Sequence, residues 1–364
     1  MKLFQNSGLY PAYLPRLREL TRNDTSFAAQ VATFLSDRYG AVHFLQPVLA
    51  GDESAFFTNG DDEVLQRQWA KENGMHGKPT LAAILLAQIE HNRTEVFYNM
   101  DPMRYGSDFV RRLPGCVRKS IAWRAAPSPG ADFEAYDLIV CNFPSILESY
   151  RARGWNAQYF SPAHDPVMDK YASNSDRPID VLFVGGYSRH HRRRAEVLEA
   201  VAGLSGQCRV EMYLDRSRMT KLCEVLPAWL PFLTQHRRPS AIRAASRQPV
   251  FGRDLYRLLS QSKIVLNGAV DMAGPDRGNM RCWEAMGCGA LLVSDSGNYP
   301  SGMVAGQSMM NYLHASDAVK VISHALSQPN QLKAVATGGY DAVHTEYSKR
   351  KQWGAFERLV ENAQ

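Results

Sequence analysis

Asp276-Arg-Gly-Asn-Met-Arg281-Cys-Trp-Glu284-Ala-Met-Gly-Cys-Gly289-Ala-Leu-Leu-Val-Ser-Asp295 is the stretch on which the reading of this chain turns. A glycine-bearing loop runs into a short helix that carries an acid, and a small-residue turn then feeds an apolar strand. Backbone N–H groups at the start of such a helix point at whatever lies before it, which suits a diphosphate. With the whole stretch helical, Glu284 lies about two turns beyond Asp276 on nearly the same face. A solvent-lined carboxylate there accepts hydrogen bonds from ribose hydroxyls.

Upstream of this stretch, short β-type runs alternate with helical patterns, the mark of parallel sheets covered by helices. Asp180-Val-Leu-Phe-Val184 is a short apolar strand ending in Gly185-Gly186, followed by alternating Val210, Met212 and Leu214. The helix Asp254 to Ser260, strand Lys263 to Asn267, helix Met280 to Met286 and strand Ala290 to Ser294 complete a Rossmann-like unit. In the first half the expected strands are Ala41 to Leu45, Glu95 to Tyr98, Ser120 to Trp123 and Asp137 to Cys141. The expected helices there are Thr80 to His91 and Ile146 to Arg153. The polar, aperiodic segment Asp165 to Arg177 reads as a linker, and Thr345 to Asn362 as one long amphipathic helix.

The chain has 364 residues, enough for two cores of ordinary size, with 45% hydrophobic and 21% charged residues. Its longest apolar stretch, Leu81 to Ile89, is well short of the ~20 residues of a membrane-spanning helix. The N-terminus turns polar at once, which predicts a cytoplasmic protein. Six cysteines without a C-x-x-C pair suggest reduced core thiols, neither a zinc site nor a disulfide framework. Much of the net charge of +6 sits in two clusters, Arg189 to Arg194 and Arg237, Arg238, Arg243 and Arg247. Phosphate-bearing ligands or peripheral contact with an anionic membrane surface, on its inner face, fit such clusters, as does a solvated basic face. Nucleic acid is not expected, because no interleaved aromatics form a stacking platform.

The stretch 276–295 resembles the acidic-x7-Glu donor-binding motif of GT-B glycosyltransferases of the family 1/4-like kind. More narrowly it is similar to the CgeB-type, spore-maturation-protein-like branch, whose motif Asn-x-Arg-x-x-Glu-Ala-x-x-Cys/Gly-Gly is matched by Asn279, Arg281, Glu284, Ala285, Cys288 and Gly289. Gly252 to Asn267, Phe183 to Leu198 and His344 to Arg350 resemble family segments in the same order. The likeness is close over residues 137–362 and loose before that.

The resemblance implies an α/β fold of GT-B architecture: two Rossmann-like domains facing across a cleft, with a C-terminal helix crossing back to the N-terminal domain. We expect an acceptor-side domain over 1–168, joined by helix 346–364, and a nucleotide-sugar-binding domain over 174–345. The expected activity is glycosyl transfer from a nucleotide-sugar donor to a glycan, lipid-linked or protein acceptor. The alternatives are a nucleotide-sugar epimerase or hydrolase of the same fold, or a non-catalytic nucleotide- or glycan-binding protein.

Within that reading the donor side takes in Gly185, Gly186, Arg189, Arg194, Lys263, Asp276, Asn279, Arg281 and Glu284. Arg189 and Arg194 are the cations expected at the diphosphate, where negative charge grows as the leaving group departs. Arg281 reads equally as a structural ion-pair former, and the glycine pair as a plain turn. No cofactor and no metal are expected: adjacent His190 and His191 do not converge on one ion, and Asp61-Asp62 is not the Asp-x-Asp of metal-dependent transferases. Asp276 stands where retaining families carry Glu, which favours inversion. The candidate bases are Asp101, at the C-terminal end of an N-terminal strand, and His91, before that strand.

Overall fold

The computed structural model describes residues 1–188, 191–216, 218–225, 237–268 and 273–362. The chain divides into two units, Met1–Ala163 with Lys349–Gln364, and His164–Ser348.

The first unit holds β1 (Leu3–Ser7), β2 (Ala55–Asn59), β3 (Val96–Asn99), β4 (Lys119–Trp123), β5 (Leu138–Cys141) and β6 (Ala157–Tyr159), in the spatial order β2-β1-β3-β4-β5-β6. All neighbours are parallel. Apolar runs such as Val96-Phe-Tyr98 and Leu138-Ile-Val-Cys141 are buried on both faces, as a helix-covered parallel sheet requires. Strand β1, flanked by the edge strand β2 and by β3, departs from that pattern. Its Gln5 and Asn6 have no exposed surface, and their side chains serve backbone groups. Gln5 Oε1 accepts from the Leu45 N–H at 3.1 Å, and Asn6 Oδ1 accepts from the Gly60 N–H at 2.8 Å.

The expected strand Ala41 to Leu45 is instead one turn of 3-10 helix, Ala41–His43, followed by extended backbone. Its apolar side chains are buried, but its polar groups are met by side chains and need no ladder. Lys349 Nζ donates to the Val42 and Phe44 carbonyls at 3.0 and 2.7 Å, and Gln352 Nε2 donates to Val42 at 3.3 Å. Both donors sit on the helix Lys349–Asn362, whose Phe356 ring packs 5.0 Å from Tyr98 and 5.8 Å from Phe160. The single helix expected over Thr345 to Asn362 is therefore two, Pro329–Glu346 and Lys349–Asn362. Only the second joins the first unit.

The second unit holds β7 (Ile179–Gly186), β8 (Val210–Asp215), β9 (Ser246–Arg247), β10 (Ser262–Leu266), β11 (Leu291–Asp295) and β12 (Met310–Tyr312). Their order, β12-β11-β10-β7-β8-β9, is again wholly parallel. The core joins Val181 and Phe183 of β7 with Leu198 of helix Arg192–Ala202 and Ile322 of helix Ala315–Ser327. The expected linker Asp165 to Arg177 contains the helical turns Pro166–Met168 and Asp169–Ala172. It ends at Arg177, which donates to the Ser262 and Cys288 carbonyls at 2.9 and 3.0 Å, so the segment is packed onto the second unit.

In each sheet the chain reverses direction once, between β1 and β3 and between β7 and β10. The C-terminal strand ends at these reversals are where open α/β sheets bind ligands. All six cysteines are free, and burial pushes the Cys282 thiol up to about 12. Among the described residues no helix is long and apolar enough to cross a membrane.

Candidate functional site

At the reversal of the second sheet, β7 ends in Gly185-Gly186 and β10 is followed by Asn267 and Gly268. Gly186 is exposed with nothing within 4 Å of an added Cβ, so the backbone here is open to an approaching group. The loop after Pro275 reaches the same edge. Gly278 holds φ at +114°, a conformation that favours glycine, and the helix Met280–Gly287 then begins. Asn279 caps it, its Oδ1 accepting from the Arg281 N–H at 3.1 Å while its Nδ2 donates to Asn267 Oδ1 at 3.1 Å. Asn267 Nδ2 in turn donates to Ser294 Oγ at 3.1 Å, and Tyr312 Oη donates to the Asn267 carbonyl at 2.7 Å. One asparagine thus ties the positive end of a helix to the C-terminal end of β10.

Arg194, on the helix Arg192–Ala202, donates through Nη2 to the Gly268 carbonyl, which brings its guanidinium to the same strand end. Arg281 Nη1 lies 2.6 Å from Glu284 Oε2. Arg281 therefore forms the ion pair that its sequence position allowed. Glu284 is 1% exposed, so the solvent-lined carboxylate expected from the sequence is instead buried beneath an arginine. Burial raises the Glu284 pKa and Arg281 draws it down, with a net rise.

Two further expectations are corrected by geometry. Asp276 is not part of the helix: it is a loop residue, bridged to Asn298 and 5% exposed, with Asn298 Nδ2 3.4 Å from its Oδ1. Lys263 stands near the start of β10, at the opposite end of that strand from Asn267, and pairs with Asp180 at 2.6 Å. It does not join the group at the reversal. Arg189 lies outside the described residues. Arg238, read as part of a surface cluster, is buried and held by Glu224 at 2.5 Å. Arg277 carries no signal in the sequence pattern, yet its Nε lies 2.5 Å from Asp295 Oδ2 and fixes the loop to the end of β11.

In the first unit, Asp101 follows β3 and Asp61 follows β2, on either side of Gly8 after β1. An added Cβ at Gly8 would lie 3.2 Å from the Asp101 carboxyl carbon, and the Leu9 N–H donates to Asp61 Oδ2 at 2.9 Å. Beneath them lies a buried polar network. Asn6 Nδ2 donates to Asn99 Oδ1 at 2.8 Å, and that oxygen also accepts the Asp101 N–H at 3.0 Å. Tyr105 Oη donates to the Gly60 carbonyl at 2.6 Å. Burial raises the pKa of both aspartates, opposed at Asp101 by Arg104, whose Nε is 3.3 Å from Oδ2. His91 ends the helix Leu81–His91, before β3 rather than after it, with its ring 5.8 Å from Trp69. It stands at the far end of that strand from Asp101, so the two candidate bases do not share a site. Asp61 was tested in the sequence only as half of a metal motif; its place after a strand end was the signal that could have found it.

Two doubly wound parallel units in one chain, the second closing with a helix returned to the first, define the GT-B fold. The structure of Anabaena HepE in complex with UDP-glucose is similar over 99% of this chain and 99% of that one, with TM-score 0.62 and 11% identity. HepE in complex with UDP and glucose matches over 100% of both chains at TM-score 0.61 and 12% identity. A glycosyltransferase from Rickettsia africae matches over 99% of this chain and 98% of that one, at TM-score 0.55 and 9% identity. Residues 190–358 match the family model described as glycosyl transferase-like. That match takes in most of the second unit and the first part of the helix Lys349–Asn362; the model is the general one and does not single out the CgeB-type branch. No curated protein sequence matches the chain.

Proposed function

We propose that the protein transfers a sugar from a nucleoside diphosphate sugar to an acceptor hydroxyl, releasing the nucleoside diphosphate. One observation carries this reading: the Asn279-capped helix start and the Arg194 guanidinium meet at the C-terminal end of β10. Helix-terminal N–H groups and a fixed cation are what a departing diphosphate needs, since its charge grows toward the transition state. On this reading the leaving group requires no metal ion. HepE, of the same fold, is described in complex with UDP and with UDP-glucose, which favours a uridine donor.

Asp101 is the proposed general base. Its carboxylate stands at a reversal of the first sheet, and burial raises its pKa, the direction that makes a carboxylate a better proton acceptor. The acceptor would be a glycan, a lipid-linked sugar or a protein hydroxyl in surface-glycan assembly, and an enzyme acting on lipid-linked acceptors would contact an anionic membrane face.

The test is a melting-shift screen of the purified protein against nucleotides and nucleotide sugars, followed by product analysis with acceptors. A ligand that binds only the folded state raises its apparent stability. A uridine diphosphate response with acceptor-dependent turnover is expected. Altered donor released without an acceptor would identify an epimerase or hydrolase, and binding without turnover a silent binding protein.

A further inference from the structure

Away from the donor-side group, three metal-ligating side chains from distant parts of the sequence converge within the second unit. His164, Asp169 and His344 each offer one ligand atom, and these atoms lie within 4.8 Å of one another. His164 Nε2 is 2.7 Å from Asp169 Oδ1, and His344 Nδ1 is 3.4 Å from the same oxygen. His164 is the first residue of the unit, Asp169 opens the helix Asp169–Ala172, and His344 lies in the last turn of the helix Pro329–Glu346.

Two imidazoles and a carboxylate suit a divalent first-row transition ion, with a water completing the set. Bonds of ~2.0–2.2 Å around one ion hold neighbouring ligand atoms roughly 3–3.6 Å apart. The His164 side chain is buried and that of His344 half exposed, so closing to that spacing from at most 4.8 Å falls to His344.

The surroundings orient all three groups. Tyr340 Oη donates to Asp169 Oδ1 at 2.9 Å, and its ring stacks on His344 at 5.3 Å and meets His164 edge-on at 5.9 Å. One phenol thus sets the carboxylate and both rings, as outer partners of bound metals do. Gly287 makes room for the buried imidazole: an added Cβ would lie 2.8 Å from His164 Nδ1 and 2.4 Å from Met168 Sδ. Asp169 and Tyr340 also line a cavity of about 630 Å³, which gives an ion a route in.

We propose that His164, Asp169 and His344 bind one divalent transition-metal ion, Zn²⁺ or a close relative, at a structural site separate from the glycosyl-transfer chemistry. The ion would cross-link the start and the end of the second unit. The His164 N–H already bonds the Tyr347 carbonyl at 2.8 Å, and His164 and Ser348 pair as a parallel bridge.

The test uses the full chain stripped with a chelator, titrated with Zn²⁺ by calorimetry and with Co²⁺ by visible absorption. The expected result is one equivalent of Zn²⁺ per chain with a raised Tm, and a Co²⁺ ligand-field spectrum. His344→Ala should abolish all three, Tyr340→Phe should weaken binding roughly tenfold, and His324→Ala, on an exposed helix position, should change nothing. If His344→Ala misfolds by circular dichroism, Asp169→Asn carries the same test. Wild-type protein that binds no Zn²⁺, or a folded His344→Ala or Asp169→Asn that binds it unchanged, overturns the site.

Discussion

Arg281 and Glu284 face each other within one helix at 2.6 Å, the glutamate side chain 2% exposed and the arginine 16%. A nucleotide that reaches Glu284 therefore meets a carboxylate already held by a cation. Substitutions there test two things at once, donor binding and the integrity of a buried pair.

Glu284→Gln keeps the volume and a hydrogen-bond acceptor for Arg281, so the protein should fold. Nucleotide affinity should fall roughly ten- to a hundredfold, from loss of a charge-assisted hydrogen bond worth ~1.5–3 kcal/mol. Glu284→Ala should in addition lose roughly 3–5 kcal/mol of stability, because the guanidinium is left buried and unpaired. Calorimetric nucleotide titration and urea unfolding read the two effects separately. Unchanged affinity in Glu284→Gln would remove Glu284 from the donor site.

Arg194→Ala should lower kcat more than it raises the KM for donor, since a cation's hold on the leaving group strengthens as charge develops. Steady-state kinetics at saturating acceptor give both numbers. A change confined to KM would mean that Arg194 only positions the Gly268 turn.

Asp101→Asn should nearly abolish transfer with donor binding preserved, because the amide keeps the shape and loses the proton acceptor. In the wild type the base must be ionised and burial raises its pKa. Turnover should therefore fall on acidification at a pH above the usual carboxylate value of about 3.9. Product NMR should show inversion at the anomeric carbon; retention would sink the base assignment.

His43 carries a different signature. Burial, with Lys349 nearby, lowers its pKa to about 3. The unfolded chain takes up a proton near pH 6.5 that the folded state refuses. Stability contributed by this group is thus complete above about pH 6.5 and is lost as pH falls toward 3, by about 2 kcal/mol between pH 7 and pH 5. His43→Gln should show a correspondingly flatter dependence in urea unfolding at those two pH values.

The second unit was largely legible because its buried strands are unbroken apolar runs. Val181, Leu182 and Phe183 announce β7 without help from tertiary context. The first unit hid an inner strand: β1 carries Gln5, Asn6 and Ser7, which lack an apolar strand pattern and are buried. Their polarity is repaid by partners as distant in sequence as Leu45 and Gly60, which no local pattern reveals. Ala41 to Leu45 failed in the opposite sense, apolar enough for a strand but bonded by Gln5, Lys349 and Gln352. At the candidate site, the helix Met280–Gly287 that carries Arg281 and Glu284 and is capped by Asn279 was legible from its pattern. The helix start at Met280 and the place of Lys263 at the head of its strand were legible as well; what misled was the family motif, which counts residues along the chain and so grouped Asp276 and Lys263 with side chains that the fold keeps apart from them.

The docking of Lys349 into the turn at Val42 and Phe44 also bears on how the chain is made. A ribosome releases residues 1–163 well before Lys349 exists, so for that interval the carbonyls of Val42 and Phe44 and the rings of Tyr98 and Phe160 lack their covering helix. The second unit, continuous from His164 to Ser348, has no such wait. Domains ordinarily mature in the order of synthesis; here the nascent first unit stays unfinished until the second has been fully translated.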